Sequence, residues 1–176
     1  MRSWITAQIR AFRKRKLSQP EKTLNIVDKA IKEIENGGYK NAIKKITKAI
    51  DSSPDSFKLY HHRGDAYTLN GQHHEAITDF DTAIRLNPGY PDTYLDRGNE
   101  WYELGELDKA LKDFSEAIRL KPEWGEAHAN RAVIHAELGN LKESETDAEK
   151  AKTLGVTPER LEEMLNTVLS PWNGES

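Results

Sequence analysis

The side chains that could do chemistry are six histidines set among 29 carboxylates. His61 and Asp65 stand four residues apart, and His62 and Asp65 three apart, so each pair shares a helix face. A metal site is geometrically open to them, but the sequence places no third strong ligand, and transition-metal sites need several. His74-Glu75 lacks the second histidine of a zinc-protease helix. No Gly-rich phosphate loop and no nucleophile elbow is present. The absence of cysteine removes disulfides, thiolate zinc sites and cysteine nucleophiles. No catalytic residue, metal or cofactor is therefore expected. A metal-dependent enzyme is the alternative, which a hydrolysis screen with an EDTA control would separate.

The elements that hold these residues repeat. Phe57 to Tyr90 and Pro91 to Trp124 align without a gap, every offset being 34 residues. Tyr60 falls on Tyr94, Arg63-Gly64 on Arg97-Gly98, Gly71 on Gly105, Ala76 on Ala110, Phe80 on Phe114, Ala83-Ile84 on Ala117-Ile118 and Pro88 on Pro122. A period of this length decides the architecture before any local reading does. The small residue, turn glycine, alanine, aromatic, second alanine and closing proline resemble the tetratricopeptide repeat (TPR) family. The resemblance implies an all-α, right-handed α-solenoid of about four helix-turn-helix repeats. It also implies a binding scaffold, because the residues the family shares are packing residues.

Taken in order, the chain divides into a basic segment and linker (1–22), four repeats (23–56, 57–90, 91–124 and 125–158), a capping helix (159–170) and a tail (171–176). Met1, Trp4, Ile5, Ile9 and Phe12 share one helical face, with Arg2, Arg10, Arg13 and Lys14 opposite or at its edge, which gives a short basic amphipathic helix. It is expected to pack against the first repeat and cover part of its inner or leading surface; the competing readings are an anchor on an anionic membrane surface through residues 1–17 and a disordered arm. In the first repeat two frames stand open. Without a gap, Ile26 and Ala30 are core while Val27, Ile31 and Ile34 face inward; a one-residue shift makes Val27, Ile31 and Ile34 the core. In the fourth, Ser144, Glu145, Ala148 and Lys152 erode the second helix, as in a terminal repeat. Thr157-Pro158-Glu159 starts the capping helix, with a hydroxyl cap, a first-turn proline and an acid at the positive dipole end.

Gly64 and Gly98 should let paired helices approach closely, with Phe80, Phe114, Tyr67 and Trp101 filling the space around them. Gly71, Gly105 and Gly139 should end first helices in the left-handed region. Arg63, Arg97 and Arg131 each precede Asp79, Asp113 or Asp147 by 16 residues; the first repeat has Lys29 and Lys45 at both places. Their joint presence and absence favours pairing within a repeat.

In the family the first helices line a concave groove that binds a peptide. The matching places here are Lys58, His61, His62, Asp65 and Leu69, then Asp92, Leu95, Asp96, Asn99, Tyr102 and Glu103, then Glu126, Asn130, Val133 and Glu137. Six of these are carboxylates, against one lysine and two histidines. The face is either merely solvated or a groove for a basic or amphipathic segment, with Leu69, Leu95, Tyr102 and Val133 as apolar contacts. TPR co-chaperones grip acidic C-termini with Lys, Asn and Arg. The corresponding places are His61, Asp65, Asp96, Glu126 and Asn130 in one register, or Val27, Ile31, His62, Asp92 and Asp96 in the other. Neither set suits an acidic ligand.

The bulk numbers agree with a scaffold. Apolar residues at 36 % and charged residues at 31 % suit a thin stack of amphipathic helices. A net charge of −3 argues against a nucleic-acid partner. No apolar run approaches a membrane span, and the N-terminus has no continuous apolar signal core, so a cytoplasmic location is expected. The expected function is a non-catalytic scaffold for another protein or peptide. The alternative is a membrane-surface assembly adaptor anchored by the N-terminal helix. Partner identity and oligomeric state are not readable.

Overall fold

The computed structural model describes residues 18–169. The amphipathic segment at 1–17 and the tail at 171–176 lie outside them. Nine helices and no strands occur among the described residues: α1 (Gln19–Glu35), α2 (Tyr39–Ser52), α3 (Phe57–Leu69), α4 (His73–Leu86), α5 (Pro91–Glu103), α6 (Leu107–Leu120), α7 (Gly125–Glu137), α8 (Leu141–Thr153) and α9 (Pro158–Leu169). α1 to α8 form four helix pairs, and each pair packs on the next. The result is an α-solenoid.

α1 begins earlier than the sequence reading placed the first repeat. Ser18 caps it: the Glu21 N–H donates to Ser18 Oγ, and the Ser18 N–H donates to Glu21 Oε2 at 2.7 Å. This reciprocal box satisfies two otherwise orphaned donors. Gln19–Lys22, read as linker, is thereby the first turn of α1.

One glycine per repeat makes the turn between paired helices. Gly37, Gly71, Gly105 and Gly139 have φ of 75, 73, 74 and 76°. Behind each, an N–H reaches back five residues, as Gln72 N to Tyr67 O at 2.9 Å. That closes the helix end in the left-handed geometry glycine favours. Gly37 falls 34 residues before Gly71, and Ala30, fully buried, takes the place of Gly64. The ungapped frame of the first repeat therefore holds. Val27 is nevertheless 5 % exposed rather than open on an inner surface, and Ile31 and Ile34 pack partly buried against the same core.

The close approach of the helices is set by an aromatic ring against a bare backbone. A Cβ on Gly98 would sit 2.6 Å from Phe114 Cε1, and one on Gly64 would sit 2.5 Å from Phe80 Cε1. Gly98→Ala is expected to lower stability by about 1–3 kcal/mol through overpacking, measurable as a drop in Tm.

The last helix closes the stack. Leu161 is 2 % exposed, and Val156, Met164 and Leu165 pack on Ala129, Ala132, Ala148 and Ala151 of α7 and α8. α9 also reaches the inner side, where Met164 and Thr167 face Tyr102, Asn130 and Val133 across a cavity of about 310 Å³. No helix of the described residues is long and apolar enough to cross a membrane.

Candidate peptide-binding face

α1, α3, α5 and α7, the first helix of each pair, supply the inner face. One row of this face, at 34-residue steps, is a seam. Val27, His61, Leu95 and Ala129 are only 5, 6, 5 and 1 % exposed. Leu95 is therefore a packing residue and not a ligand contact. Val133, 6 % exposed, lines the cavity that α9 bounds. Of the apolar contacts read from the sequence, Leu69 is open at 52 % exposure and Tyr102 is half-buried. Side-chain hydrogen bonds link neighbouring first helices. Thr93 Oγ1 and His61 Nδ1 share one at 3.1 Å, and Asn130 Nδ2 donates to Asn99 Oδ1 at 2.9 Å.

Asp96 is the centre of the acidic surface. Its side chain keeps 36 % exposure to the groove. Partial burial first, and then Asp65, Asp92, Glu126 and Glu100, push its carboxyl up to about 8. Four helix turns thus aim like charges at one point. Tyr90, beside them, is pushed up by burial and by Asp92, Asp65 and Asp96. Tyr102 is pushed up by burial and then by Glu137. Glu103, Glu126 and Glu137 are exposed along the same helices. Lys58 stands apart, lining a hollow with Thr23, Leu24 and Val27 at the α1 end.

The histidines divide as their surroundings dictate. His128 is buried, with Nδ1 at 3.0 Å from Asp147 and Nε2 at 3.1 Å from the Pro122 carbonyl, so it packs and cross-links. Burial pushes the His61 imidazole down, outweighing the pull of Asp65. The ligand atoms of His61, His62 and Asp65 come within 4.8 Å of one another. These are the three residues that the spacing places on one helix face. Three neighbours went unread: Tyr90, Thr93 and Glu100. Glu100 is 2 % exposed and bound by His73 Nδ1 at 2.8 Å. It stands where adjacent repeats carry Ala66 and Ile134, which was a visible signal.

Comparison with known proteins accords with this geometry. A family model described as TPR repeat matches residues 64–99 and 98–139. No curated protein sequence gives a match. The solved first TPR of Spaghetti (RPAP3), bound to HSP90 peptide SRMEEVD, is 30 % identical, covering 66 % of this chain and 93 % of that chain with a TM-score of 0.65. A MamA crystal structure superposes with a TM-score of 0.75 over 88 % of this chain and 84 % of that one, at 18 % identity. A thermophilic TPR protein of Thermus thermophilus gives 0.70 over 85 % and 82 %, at 20 % identity. The last two show the fold alone. With the 34-residue period, the left-handed turn glycines and the glycine–phenylalanine contacts, these matches establish that the chain belongs to the tetratricopeptide repeat family.

Proposed function

We propose that this chain is a non-catalytic, cytoplasmic protein–protein interaction scaffold whose inner face takes a basic or amphipathic peptide segment. The observation that carries this reading is the gathering of Asp65, Asp92 and Glu126 around Asp96, whose carboxyl is pushed up to about 8 by burial first and then by these neighbours. A lysine or arginine placed there relieves that repulsion, an acidic ligand adds to it, and a nucleic acid is disfavoured on the same ground. Asn99, Asn130 and Tyr102 offer hydrogen bonds beside the acids, and Leu69 an exposed apolar contact. The relative bound to the HSP90 peptide holds a ligand ending in two glutamates, a valine and an aspartate. This chain instead presents carboxylates at the matching places and is fitted to the opposite charge.

Reversal of the face tests the reading. The triple variant Asp65→Lys, Asp96→Lys, Glu103→Lys should lose capture of basic partners from a lysate while its circular dichroism stays helical. Unchanged capture would move the site elsewhere.

Proton linkage gives a second check. Below about 4 Asp96 is protonated in both folded and unfolded chains. Between about 4 and about 8 the unfolded chain ionises while the folded one holds its proton, so stability falls as pH rises through that window. Asp96→Asn should flatten the slope. A cationic segment should release protons on binding at neutral pH, which calorimetry in buffers of different ionisation enthalpy would detect.

A further inference from the structure

The chain is divided in charge. Residues 1–17 hold six of its 26 cations and no acid. The other 20 cations stand against all 29 carboxylates, so residues 18–176 carry −9. The split is that of a basic arm beside an acidic body. The arm also sets Met1, Trp4, Ile5, Ile9 and Phe12 on one helical face, and large apolar groups side by side call for a cover.

The inner face next to the arm is complementary in both respects. At the 34-residue period, Leu24, Asp28, Ile31 and Glu35 of α1 take the places that Lys58, His62, Asp65 and Leu69 take in α3. Leu24, Leu69, Leu138 and Leu141 are the exposed large apolar side chains among the described residues. The first two lie on these inner rows, 57 and 52 % exposed. Asp28 and Glu35 are exposed beside them, and Asp65, Asp92 and Asp96 continue the acids across α3 and α5. A hollow of about 510 Å³ opens at the starts of α1 and α3, walled by Leu24, Val27, Ser53 and Lys58. It lies within three turns of Ser18, where the arm joins the stack.

We propose that residues 1–17 are the inner face's own occupant. The arm folds back over α1 and α3 with its apolar side on Leu24, Leu69 and the hollow. Its cations stand at the edges of that side, where long stems carry the charged heads past it, among Asp28, Asp65, Asp92 and Asp96. The reach suffices. As a helix, residues 1–17 span about 25 Å. Asp96 is level with Asp28, ten residues along α1 from Ser18, which is about 15 Å of rise. It stands two first helices across, about 20 Å at the usual helix spacing. A tethered segment has an effective concentration on the order of mM, so the arm competes with any external cationic peptide. The proposal rests on the inner face taking cations, as argued above, and adds which cations hold it when no partner is bound.

The chain has no cysteine, so a single nitroxide can be placed on the full chain through Thr6→Cys, away from the apolar side of the arm. Amide signals of Leu24, Asp28, Asp65 and Asp96 should broaden, and the broadening should weaken in high salt. It should vanish when Arg2→Glu, Arg10→Glu and Arg13→Glu are added, with the remaining amide shifts showing the stack intact. For an arm docked nine-tenths of the time, the charge-reversed chain should also bind a synthetic amphipathic peptide carrying lysines and arginines about tenfold more tightly than the parent. No broadening at these amides, or broadening that survives charge reversal, would overturn the proposal. Broadening seen only between a spin-labelled chain and a separate isotope-labelled one would overturn it in favour of a second copy. Sedimentation with phosphatidylserine vesicles, in a chain without broadening, would overturn it in favour of a membrane surface. Peptide binding without broadening would remove the arm and leave the peptide-binding reading standing, whereas failure of both would remove both.

Discussion

Phe114→Ala is expected to lower the free energy of unfolding by about 3–5 kcal/mol, the range for deleting a buried aromatic side chain and leaving a cavity. Phe114 is 1 % exposed, and its ring fills the space that the missing Gly98 side chain leaves free. Around it lie Tyr94, Leu95, Ala110, Ala117, Ala127 and Ile134, drawn from three successive helices. Alanine cannot fill that volume, and the helix pair cannot collapse onto it without disturbing the packing of α5 on α6. Because a solenoid is stabilised by neighbour-to-neighbour contacts, damage in a central repeat weakens both flanking interfaces. Urea unfolding followed by circular dichroism measures the loss. A loss under about 1 kcal/mol would mean that this ring is not a keystone of the stack.

A comparable loss is expected from Arg97→Met. Arg97 Nε and Nη2 donate to Asp113 Oδ2 and Oδ1, both at 2.7 Å, and Nη1 donates to Asp81 Oδ1 at 2.6 Å. Arg63 and Arg131 repeat the fork on Asp79 and Asp147, reaching back to Thr47 and Ser115 at 3.1 and 3.2 Å. Each guanidinium therefore ties its own pair together and touches the second helix of the preceding pair. Asp113 is 4 % exposed in its side chain, so removing the arginine strands a buried charge, at a cost of about 3–5 kcal/mol. The bond to Asp81, 56 % exposed, is worth only about 0–1 kcal/mol. A double-mutant cycle on Arg97→Met and Asp113→Asn should show strong coupling, because the double variant strands nothing. Additive losses would mean that the two side chains act independently.

The repeating parts were legible because they are local and periodic. Gly71, Gly105 and Gly139, the Gly98–Phe114 contact and the Arg97–Asp113 pair all follow from offsets within one repeat, and the structure places them so. What lay between repeats was harder. Leu95 looked like a groove residue, but it is buried in one cluster with Phe114, Ala127 and Ile134, and periodicity along a helix does not say what packs across it. Val133 lines a cavity whose far wall is α9, a helix with no counterpart in the repeat pattern. Asp96 joins His61 across a repeat boundary, so spacing along one helix showed only His61, His62 and Asp65. α1 starts inside the stretch read as linker because Ser18 caps it and Pro20 sits in its first turn, where a proline is at home.

The central claim is that the acidic inner face is where a cationic segment docks. The most direct measurement is an amide chemical-shift titration of the full chain with a synthetic amphipathic peptide carrying lysines and arginines on one side. Shifts should cluster at Asp65, Asp92, Asp96, Asn99 and Glu126, and they should fade in high salt, because exposed charges are screened. Shifts confined to α2, α4, α6 and α8, or none at low salt, would contradict the account.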